Sequence, residues 1–157
     1  MEPTDFEEQK KNFLKLLELI KKESVSLIII DGMAMHYRLE LGDAIKVKDD
    51  ERIRNVNRDL ARQMKVLSEI SRRYNIPVII TNQVYADFLS REDFEKGVEK
   101  GVNLVGGDLM KYWCKCIIEL RNQGNRKKAI LQKHRSLPVK EMNFEIRNEG
   151  IFKRGWI

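Results

Sequence analysis

The sequence predicts an α/β domain whose sheet is parallel in its first half and antiparallel in its last half. Two short aliphatic runs, residues 25–30 and 77–81, have the composition of buried strands, and a long amphipathic helix separates them. After residue 116, short segments rich in apolar residues alternate with turn sequences, which is typical of hairpins. Strand–helix–strand followed by hairpins defines the predicted class.

The first predicted helix covers residues 5–22. Thr4 and Glu7 have the spacing of a capping box in front of it. Its apolar residues recur at helical intervals: Phe13, Leu16, Leu17 and Ile20. The run that follows, residues 25–30, is apolar at odd and even positions, which predicts a strand covered on both faces, as in parallel sheets.

Asp31 and Gly32 end this first strand. Residues 33–41 predict a short helix, whereas residues 41–51 mix charges of both signs without an apolar period and predict a mobile loop. A long helix is then predicted from about residue 52 to 74. Its apolar residues form one stripe: Ile53, Val56, Leu60, Met64, Leu67, Ile70 and Tyr74.

Asn75 and Pro77 end the long helix, and the second buried strand, residues 77–81, follows. A right-handed crossover should make the two strands parallel. Residues 84–107 form a long connection that ends in paired glycines, and connections of this length are usually functional or disordered.

The last third of the chain predicts a helix and then a hairpin. Asp108 is predicted to cap a short helix that ends at Trp113. Residues 116–121 and 127–134 predict two strands joined by a turn, and residues 143–152 predict one or two further strands.

Length and charge limit the classes of function. The 157 residues suit a single domain, no apolar run approaches the ~20 residues of a membrane span, and the N-terminus is unlike a signal peptide, so a cytoplasmic protein without membrane association is expected. A net charge of +6 favours an anionic partner such as nucleic acid, although lysine-rich surfaces also serve solubility. Cys114 and Cys116 lack disulfide or zinc spacing and are expected to be ordinary apolar residues.

Polar residues follow both predicted parallel strands. Asp31 follows the first strand, and Thr81, Asn82 and Gln83 follow the second, at the edge where ligands bind in parallel sheets. Aspartate can hold magnesium or its bound water, and a glutamine amide can contact water or a phosphate oxygen. Alternatively, Asp31 caps the following helix and the others start a loop, which spacing alone favours.

Two cations close the predicted fourth strand. Lys133 and Arg135 are one residue apart, so on a strand they would share a face and together hold a phosphate, with His134 on the other face. The alternative is a solvated basic edge that deters aggregation. His36 has no acid or cysteine at ligand spacing and is expected to be structural.

The ordered segments LIIIDGMAMHYRLE, NIPVIITNQV and QKHRSLPVKEMNFEIRNEGI, with a loop ending in GG between the last two, resemble the core of the RecA-type recombinases, and within that family the archaeal RadB paralogues. The resemblance extends over essentially the whole chain. It implies a three-layer αβα P-loop NTPase core and identifies Asp31 as the Walker B aspartate near Mg²⁺ and ATP. It also implies that Gln83 senses the γ-phosphate and that Lys133 with Arg135 reaches the nucleotide of a neighbouring subunit.

The sequence departs from this family in one respect that matters for chemistry. It contains no G-x-x-x-x-G-K-[ST] segment, the loop whose backbone amides bind phosphates. ATP and Mg²⁺ are therefore expected to bind only if the missing half of the site, with its strands, is supplied. The chain is expected to be either part of a longer polypeptide or a variant that lost hydrolysis, and at most a weak ATP hydrolase when complete.

The resemblance places two DNA-binding loops at residues 39–51 and 84–107. Residues 87–108 carry six acidic and three basic residues, a net charge of −3, which disfavours DNA phosphates and strand exchange. Basic residues instead concentrate in two groups: Lys46, Lys48, Arg52, Arg54 and Arg58 near the first loop, and Arg121, Arg126, Lys127, Lys128, Lys133 and Arg135 around the C-terminal hairpin. Tyr85 and Phe88 are candidates for stacking on bases.

Two classes of function follow. The first is an accessory protein of DNA repair and homologous recombination at the nucleoid, which binds single-stranded or branched DNA, acts with a RecA-family recombinase or a Holliday junction resolvase, and can oligomerise. The second is an interaction module that docks on such a protein without binding nucleotide or DNA. A clock or helicase branch of the same fold is a third possibility, but TNQV followed by a long loop favours the recombinase branch.

Overall fold

The computed structural model describes residues 1–86, 102–124 and 126–154. The chain divides into two compact units, Met1–Trp113 and Cys114–Ile157, which are described separately below. Among the described residues, no helix is both long enough and apolar enough to cross a membrane.

The first helix, α1 (Phe6–Lys22), confirms the prediction, but its cap lies one residue later than predicted. Asp5 is the N-cap, and its carboxylate accepts a hydrogen bond from the Glu8 backbone N–H at 2.7 Å. Glu8 in turn accepts hydrogen bonds from the backbone N–H and hydroxyl of Thr4, which hold the pKa of Glu8 below its usual range. Both registers have capping-box spacing, so the pattern alone does not distinguish them.

The two aliphatic runs form the predicted parallel pair, β1 (Ile28–Ile30) and β2 (Val78–Ile80). The prediction that the first strand is covered on both faces is wrong for the described residues. Ile28 packs into a core with residues of α1 and of the following long helix, whereas Ile29 is 63% exposed and its partner Ile79 is 52% exposed. The helices therefore cover one face of this pair.

The long helix, α3 (Asp50–Tyr74), follows a shorter one, α2 (Met35–Lys46). The buried residues of α3 confirm the predicted stripe and add one polar residue to it: Val56, Leu60, Gln63, Met64, Leu67 and Ile70. Asn75 ends α3 in the left-handed region, at φ 54°, which asparagine tolerates better than most residues.

The mobile loop predicted over residues 41–51 is wrong, because α2 extends to Lys46 and only three residues separate it from α3. Ala44 is fully buried, and Asp49 caps α3 by accepting a hydrogen bond from the Arg52 backbone N–H at 2.9 Å. Arg52 also pairs with Glu40 of α2 at 2.8 Å. Apolar periodicity did not predict this part of the helix, because α2 is held by the small Ala44 and by charged side chains.

The connection after β2 contains an antiparallel ribbon of β3 (Val84–Ala86) and β4 (Val102–Leu104), and residues 87–101 lie outside the described part of the chain. The next helix, α4, is Gly107–Trp113. Asp108 lies in its first turn, so the predicted cap is wrong. Gly106, at φ 82°, precedes the helix, and a Cβ there would lie 2.8 Å from Met110 Cγ, so this position favours glycine.

The second unit is a four-stranded antiparallel sheet in the order β5-β6-β7-β8, which confirms the predicted hairpins. Its strands are β5 (Ile117–Gln123), β6 (Arg126–Lys133), β7 (Lys140–Arg147) and β8 (Gly150–Lys153). Residue alternation gives the sheet an apolar face and a charged face. The mainly apolar face carries Ile118, Leu120, Ala129, Leu131, Met142, Phe144, Ile146 and Ile151, together with Lys127, Lys140 and Lys153. The mainly charged face carries Glu119, Arg121, Arg126, Lys128, Glu141, Glu145 and Arg147, together with the buried Ile130 and with Phe152.

Truncation of a buried leucine should cost far more stability than truncation of an exposed one. Leu60 of α3 is fully buried, and Leu14 of α1 is 65% exposed. We expect Leu60→Ala to lower the free energy of unfolding by roughly 2–5 kcal/mol, because it removes buried methyl groups and leaves a cavity. Leu14→Ala, the matched control, should change it by no more than about 0.5 kcal/mol. Urea denaturation followed by circular dichroism measures both values, and equal effects would contradict this core assignment.

Candidate functional site

The carboxyl ends of β1 and β2 bring Asp31 and Thr81 into direct contact. The Thr81 hydroxyl donates a hydrogen bond to Asp31 Oδ1 at 2.5 Å and accepts one from the Gly32 backbone N–H at 2.8 Å. Parallel pairing makes this possible, because the Thr81 backbone N–H also donates to the Ile30 carbonyl at 2.9 Å. The contact uses one of the two oxygens of an exposed carboxylate, so Asp31 can accept further ligands.

The alternative in which Asp31 caps the following helix is wrong. Helix α2 begins at Met35, its N-cap residue is Ala34, and no side chain caps it. The turn between β1 and α2 instead depends on Gly32, whose φ of 73° lies in the left-handed region. The Asp31 side chain is therefore directed to the neighbouring strand end.

Asn82 and Gln83, the other two polar residues that follow β2, contact Val105, the residue directly after β4. The Asn82 side-chain amide donates to the Val105 carbonyl at 2.8 Å, and the Val105 backbone N–H donates to the Gln83 carbonyl at 3.1 Å. Gln83 is exposed and lies two residues beyond Thr81. This backbone contact places Gln83 at the junction between the Asp31–Thr81 pair and the ribbon.

A buried amide pair supports the turn after Asp31, and the sequence interpretation missed it. The Gln9 amide of α1 donates to Gln63 Oε1 of α3 at 2.7 Å and to the Met33 carbonyl at 3.2 Å. Both glutamines are buried, and Gln63 Nε2 has no hydrogen-bond partner within the described residues. Their sequence signal was a glutamine in the apolar stripe of each helix, since Gln9 is flanked by the buried Phe6 and Phe13.

The donor set at this edge fits part of a magnesium–nucleotide site. No group of three His, Cys, Asp or Glu side chains that could hold a metal occurs among residues 1–86, 102–124 and 126–154. Magnesium, however, is commonly held by one or two carboxylates together with water and substrate phosphates. Asp31, next to the Thr81 hydroxyl, suits that role, and the phosphate-binding loop would have to come from residues that this sequence lacks.

The predicted pairing of Lys133 and Arg135 on one strand face is wrong. Strand β6 ends at Lys133, and Arg135 lies in a bend. The bend is organised by His134, whose Nδ1 accepts hydrogen bonds from the backbone N–H groups of Ser136 and Leu137 at 3.2 and 3.1 Å. Arg135 therefore lies outside the strand, and strand alternation does not place the two cations on one face.

The first basic group lies on α2, α3 and the turn between them. Lys46 pairs with Asp43 at 2.9 Å and holds the pKa of Asp43 below its usual range. Arg52 pairs with Glu40. Lys48, at φ 55°, and the exposed Arg54 complete the nominated group, with Arg58 one turn further along α3. Part of the positive charge predicted here is thus balanced by neighbouring carboxylates.

The second basic group is divided between the two faces of the C-terminal sheet. Arg126 and Lys128 lie on the charged face, where Lys128 pairs with Glu141 at 2.7 Å. Lys127 lies on the apolar face and donates to Asn122 Oδ1 at 3.1 Å. Arg121, also on the charged face, pairs with Glu119, which lowers the pKa of that carboxyl. The structure therefore brings together Arg121, Arg126 and Lys128 but not Lys127.

Of the two residues predicted to stack on bases, Tyr85 and Phe88, the structure describes only Tyr85. Tyr85 on β3 is 44% exposed, and the Arg38 guanidinium lies 5.9 Å from the centre of its ring. Phe88 lies outside the described residues. Tyr37 is buried against Phe6 and donates to Asn57 Oδ1 at 2.7 Å, so it belongs to the core.

Comparison with known proteins identifies the class. The family model described as Rad51 matches residues 4–154, so the chain belongs to the Rad51 family. Within that family, relatives that are 33–37% identical to the chain are archaeal RadB-type recombinase paralogues, which confirms the resemblance found in the sequence.

Three of these relatives carry the name "DNA repair and recombination protein RadB". Identity is 37% over 156 residues with that of Methanobrevibacter smithii (96% of this chain, 60% of the relative) and 36% over 149 residues with that of Methanocaldococcus jannaschii (94% and 61%). It is 34% over 152 residues with that of Thermococcus sibiricus (96% and 58%). The chain thus spans about 60% of the length of the curated relatives it matches.

Removal of the Thr81 hydroxyl should loosen the carboxyl ends of the two strands. Thr81→Val keeps the branched shape but loses both the donor to Asp31 and the acceptor for the Gly32 N–H. We expect the free energy of unfolding to fall by about 1 kcal/mol and the Gly32 amide to exchange faster with solvent. Thr81→Ser, which keeps the hydroxyl, is the control. If valine and serine at position 81 behave alike in urea denaturation and hydrogen exchange, the contact has no such role.

Proposed function

We propose that the chain is a RadB-type accessory protein of DNA repair and homologous recombination that binds DNA and has weak or no ATPase activity. The observation that carries the proposal is the Asp31–Thr81 pair at the strand ends of a chain whose residues 4–154 match the Rad51 family. In this proposal the chain is one truncated domain of a three-layer αβα P-loop core, acts at the nucleoid, performs no strand exchange, and can oligomerise.

The proposed role of Asp31 is to hold Mg²⁺ through a bound water or directly, with Thr81 fixing the carboxylate. Bound magnesium and ATP would supply phosphoryl chemistry, in which the metal balances charge on the phosphate oxygens. Gln83 is the proposed γ-phosphate sensor, as the family resemblance implies, and its backbone contact with Val105 connects it to the end of the β3–β4 ribbon. Lys133 and Arg135 are proposed to reach the nucleotide of a neighbouring subunit, as the family resemblance implies.

The proposed DNA contacts come from the two basic groups. Arg126 and Lys128 have the strongest geometric support, because both lie on the charged face of the C-terminal sheet beside Arg121. Lys46, Lys48, Arg52 and Arg54 are proposed to contact phosphates from the α2–α3 turn, and Tyr85 and Phe88 to stack on bases. Proposed partners are single-stranded or branched DNA and a RecA-family recombinase or Holliday junction resolvase.

Neutralisation of the charged face should reduce the electrostatic part of DNA binding. For Arg126→Gln with Lys128→Gln, we expect weaker binding of a fluorescent single-stranded oligonucleotide. The slope of log affinity against log salt should become shallower by about 0.7 for each DNA phosphate that the variant no longer neutralises. Fluorescence anisotropy at several salt concentrations measures this slope.

The control removes the same charge from a different surface. Lys15→Gln with Lys22→Gln changes two exposed lysines of α1 that belong to neither basic group. This control should lower the affinity slightly through net charge alone. A double variant at 126 and 128 whose slope equals that of the control would refute the assignment of the DNA contacts to this face.

The second candidate function is the interaction module that docks on a recombinase or a junction nuclease. The apolar face of the C-terminal sheet favours it, since five large apolar side chains on this face are exposed: Ile118, Leu120, Met142, Ile146 and Ile151. Binding of a fluorescent ATP analogue with Mg²⁺, together with DNA binding, separates the candidates. Retained DNA affinity supports the accessory protein, and loss of both activities in the folded chain supports the interaction module.

A further inference from the structure

The aromatic ring of Tyr85 on β3 lies against an arginine of α2. The guanidinium carbon of Arg38 is 5.9 Å from the centre of the ring, which is within the range of cation–π contacts. Both side chains are exposed, that of Tyr85 in a residue that is 44% exposed. Because the guanidinium lies over one face of the ring, the opposite face is the one that another planar group can reach.

The helix that carries Arg38 is fixed to the core of its unit. The neighbouring Tyr37 is buried, and its hydroxyl donates a hydrogen bond to Asn57 Oδ1 of α3 at 2.7 Å. The Asn57 amide in turn donates to the Ile53 carbonyl at 2.9 Å. Burial and, to a lesser degree, the nearby Tyr85 raise the pKa of Tyr37, so Tyr85 lies close to this network. Arg38 therefore contacts Tyr85 from a helix whose position the core determines.

The ribbon that carries Tyr85 is held by few hydrogen bonds of its own. Only three residues of β3 pair with β4, and Tyr85 is opposite Asn103. Val105, directly after β4, joins the ribbon to Asn82 and Gln83. A two-stranded ribbon this short is marginally stable by itself. The contact with Arg38 therefore adds a constraint on the Tyr85 ring to those that the ribbon provides.

Arg38 has no competing partner in the described part of the chain. No carboxylate there forms an ion pair with it. On the same helix pair, by contrast, Arg52 is paired with Glu40 and Lys46 is paired with Asp43. Arg38 also belongs to neither of the two basic groups proposed to contact DNA phosphates. Its guanidinium is thus available to the ring.

We propose that Arg38 is a positioning residue for Tyr85, whose ring it holds on one face so that the other face is presented to a base of single-stranded DNA. The inference rests on the proposed function, in which Tyr85 stacks on bases, and adds the residue that orients it. A ring that is already held loses less conformational freedom on binding, so Arg38 raises affinity without touching the nucleic acid. Every base has a π-face, so no sequence preference is expected.

A salt titration separates this role from a phosphate contact. We expect Arg38→Gln to weaken binding of a fluorescent single-stranded oligonucleotide about two- to fivefold, which corresponds to a cation–π contact at an exposed site. The slope of log affinity against log salt should stay unchanged, whereas loss of one phosphate contact would make it shallower by about 0.7. Arg62→Gln, at an exposed arginine of α3 that pairs with Asp59, is the matched control for net charge and should have almost no effect. A shallower slope for Arg38→Gln than for this control overturns the proposal.

Two further comparisons show whether Arg38 acts through the ring. Tyr85→Leu removes the ring, and in that background Arg38→Gln should have no further effect on affinity. Tyr85→Phe keeps the ring and should preserve the effect. An oligonucleotide of equal length with abasic sites should bind the wild-type chain and Arg38→Gln equally, because it has no base to stack. Additive losses in the double variant, or an equal loss on the abasic strand, overturn the proposal.

Nuclear magnetic resonance on the full chain measures the contact itself. The ring current of Tyr85 should shift the side-chain protons of Arg38 upfield, and Tyr85→Leu should abolish this shift whereas Tyr85→Phe should keep it. Circular dichroism establishes that each variant is folded, as expected for changes at two exposed side chains. A folded wild-type chain that binds no oligonucleotide refutes the proposed function and the role of Arg38 with it. Wild-type affinity in Arg38→Gln, or the absence of the upfield shift, refutes the role of Arg38 alone.

Discussion

The parallel pairing of β1 with β2 is the interaction on which the described site depends. Only three residues of each strand take part, and their register places Thr81 opposite the end of β1, where its hydroxyl meets Asp31. A slip of one residue would turn the side chains to the other face and break this contact. So short a ladder is marginal by itself, so α1 and α3 must hold it through the core around Ile28 and Ile70.

The buried glutamines are what makes this support specific for the turn after Asp31. A purely apolar contact between α1 and α3 would be less sensitive to small shifts, whereas Gln9 must reach both Gln63 and the Met33 carbonyl. A buried amide without partners costs free energy, so these bonds favour one register of the two helices. Helices α1 and α3 thereby hold the turn that presents Asp31.

The sequence predicted those elements whose stability comes from repeated apolar burial: α1, α3, the parallel pair and the C-terminal hairpins. The sequence did not predict features that depend on ion pairs, small buried residues or hydrogen bonds in loops. The charged pair Glu40–Arg52 and the small Ala44 extend α2 into a predicted loop, and a bend around His134 ends β6 before Arg135. The proximity of Asp31 and Thr81 was predictable, because the carboxyl ends of neighbouring parallel strands lie at the same edge of a sheet. The contacts of Gln9 were not predictable, because its place in the apolar stripe of α1 does not identify its hydrogen-bond partners on α3 and in the turn after Asp31.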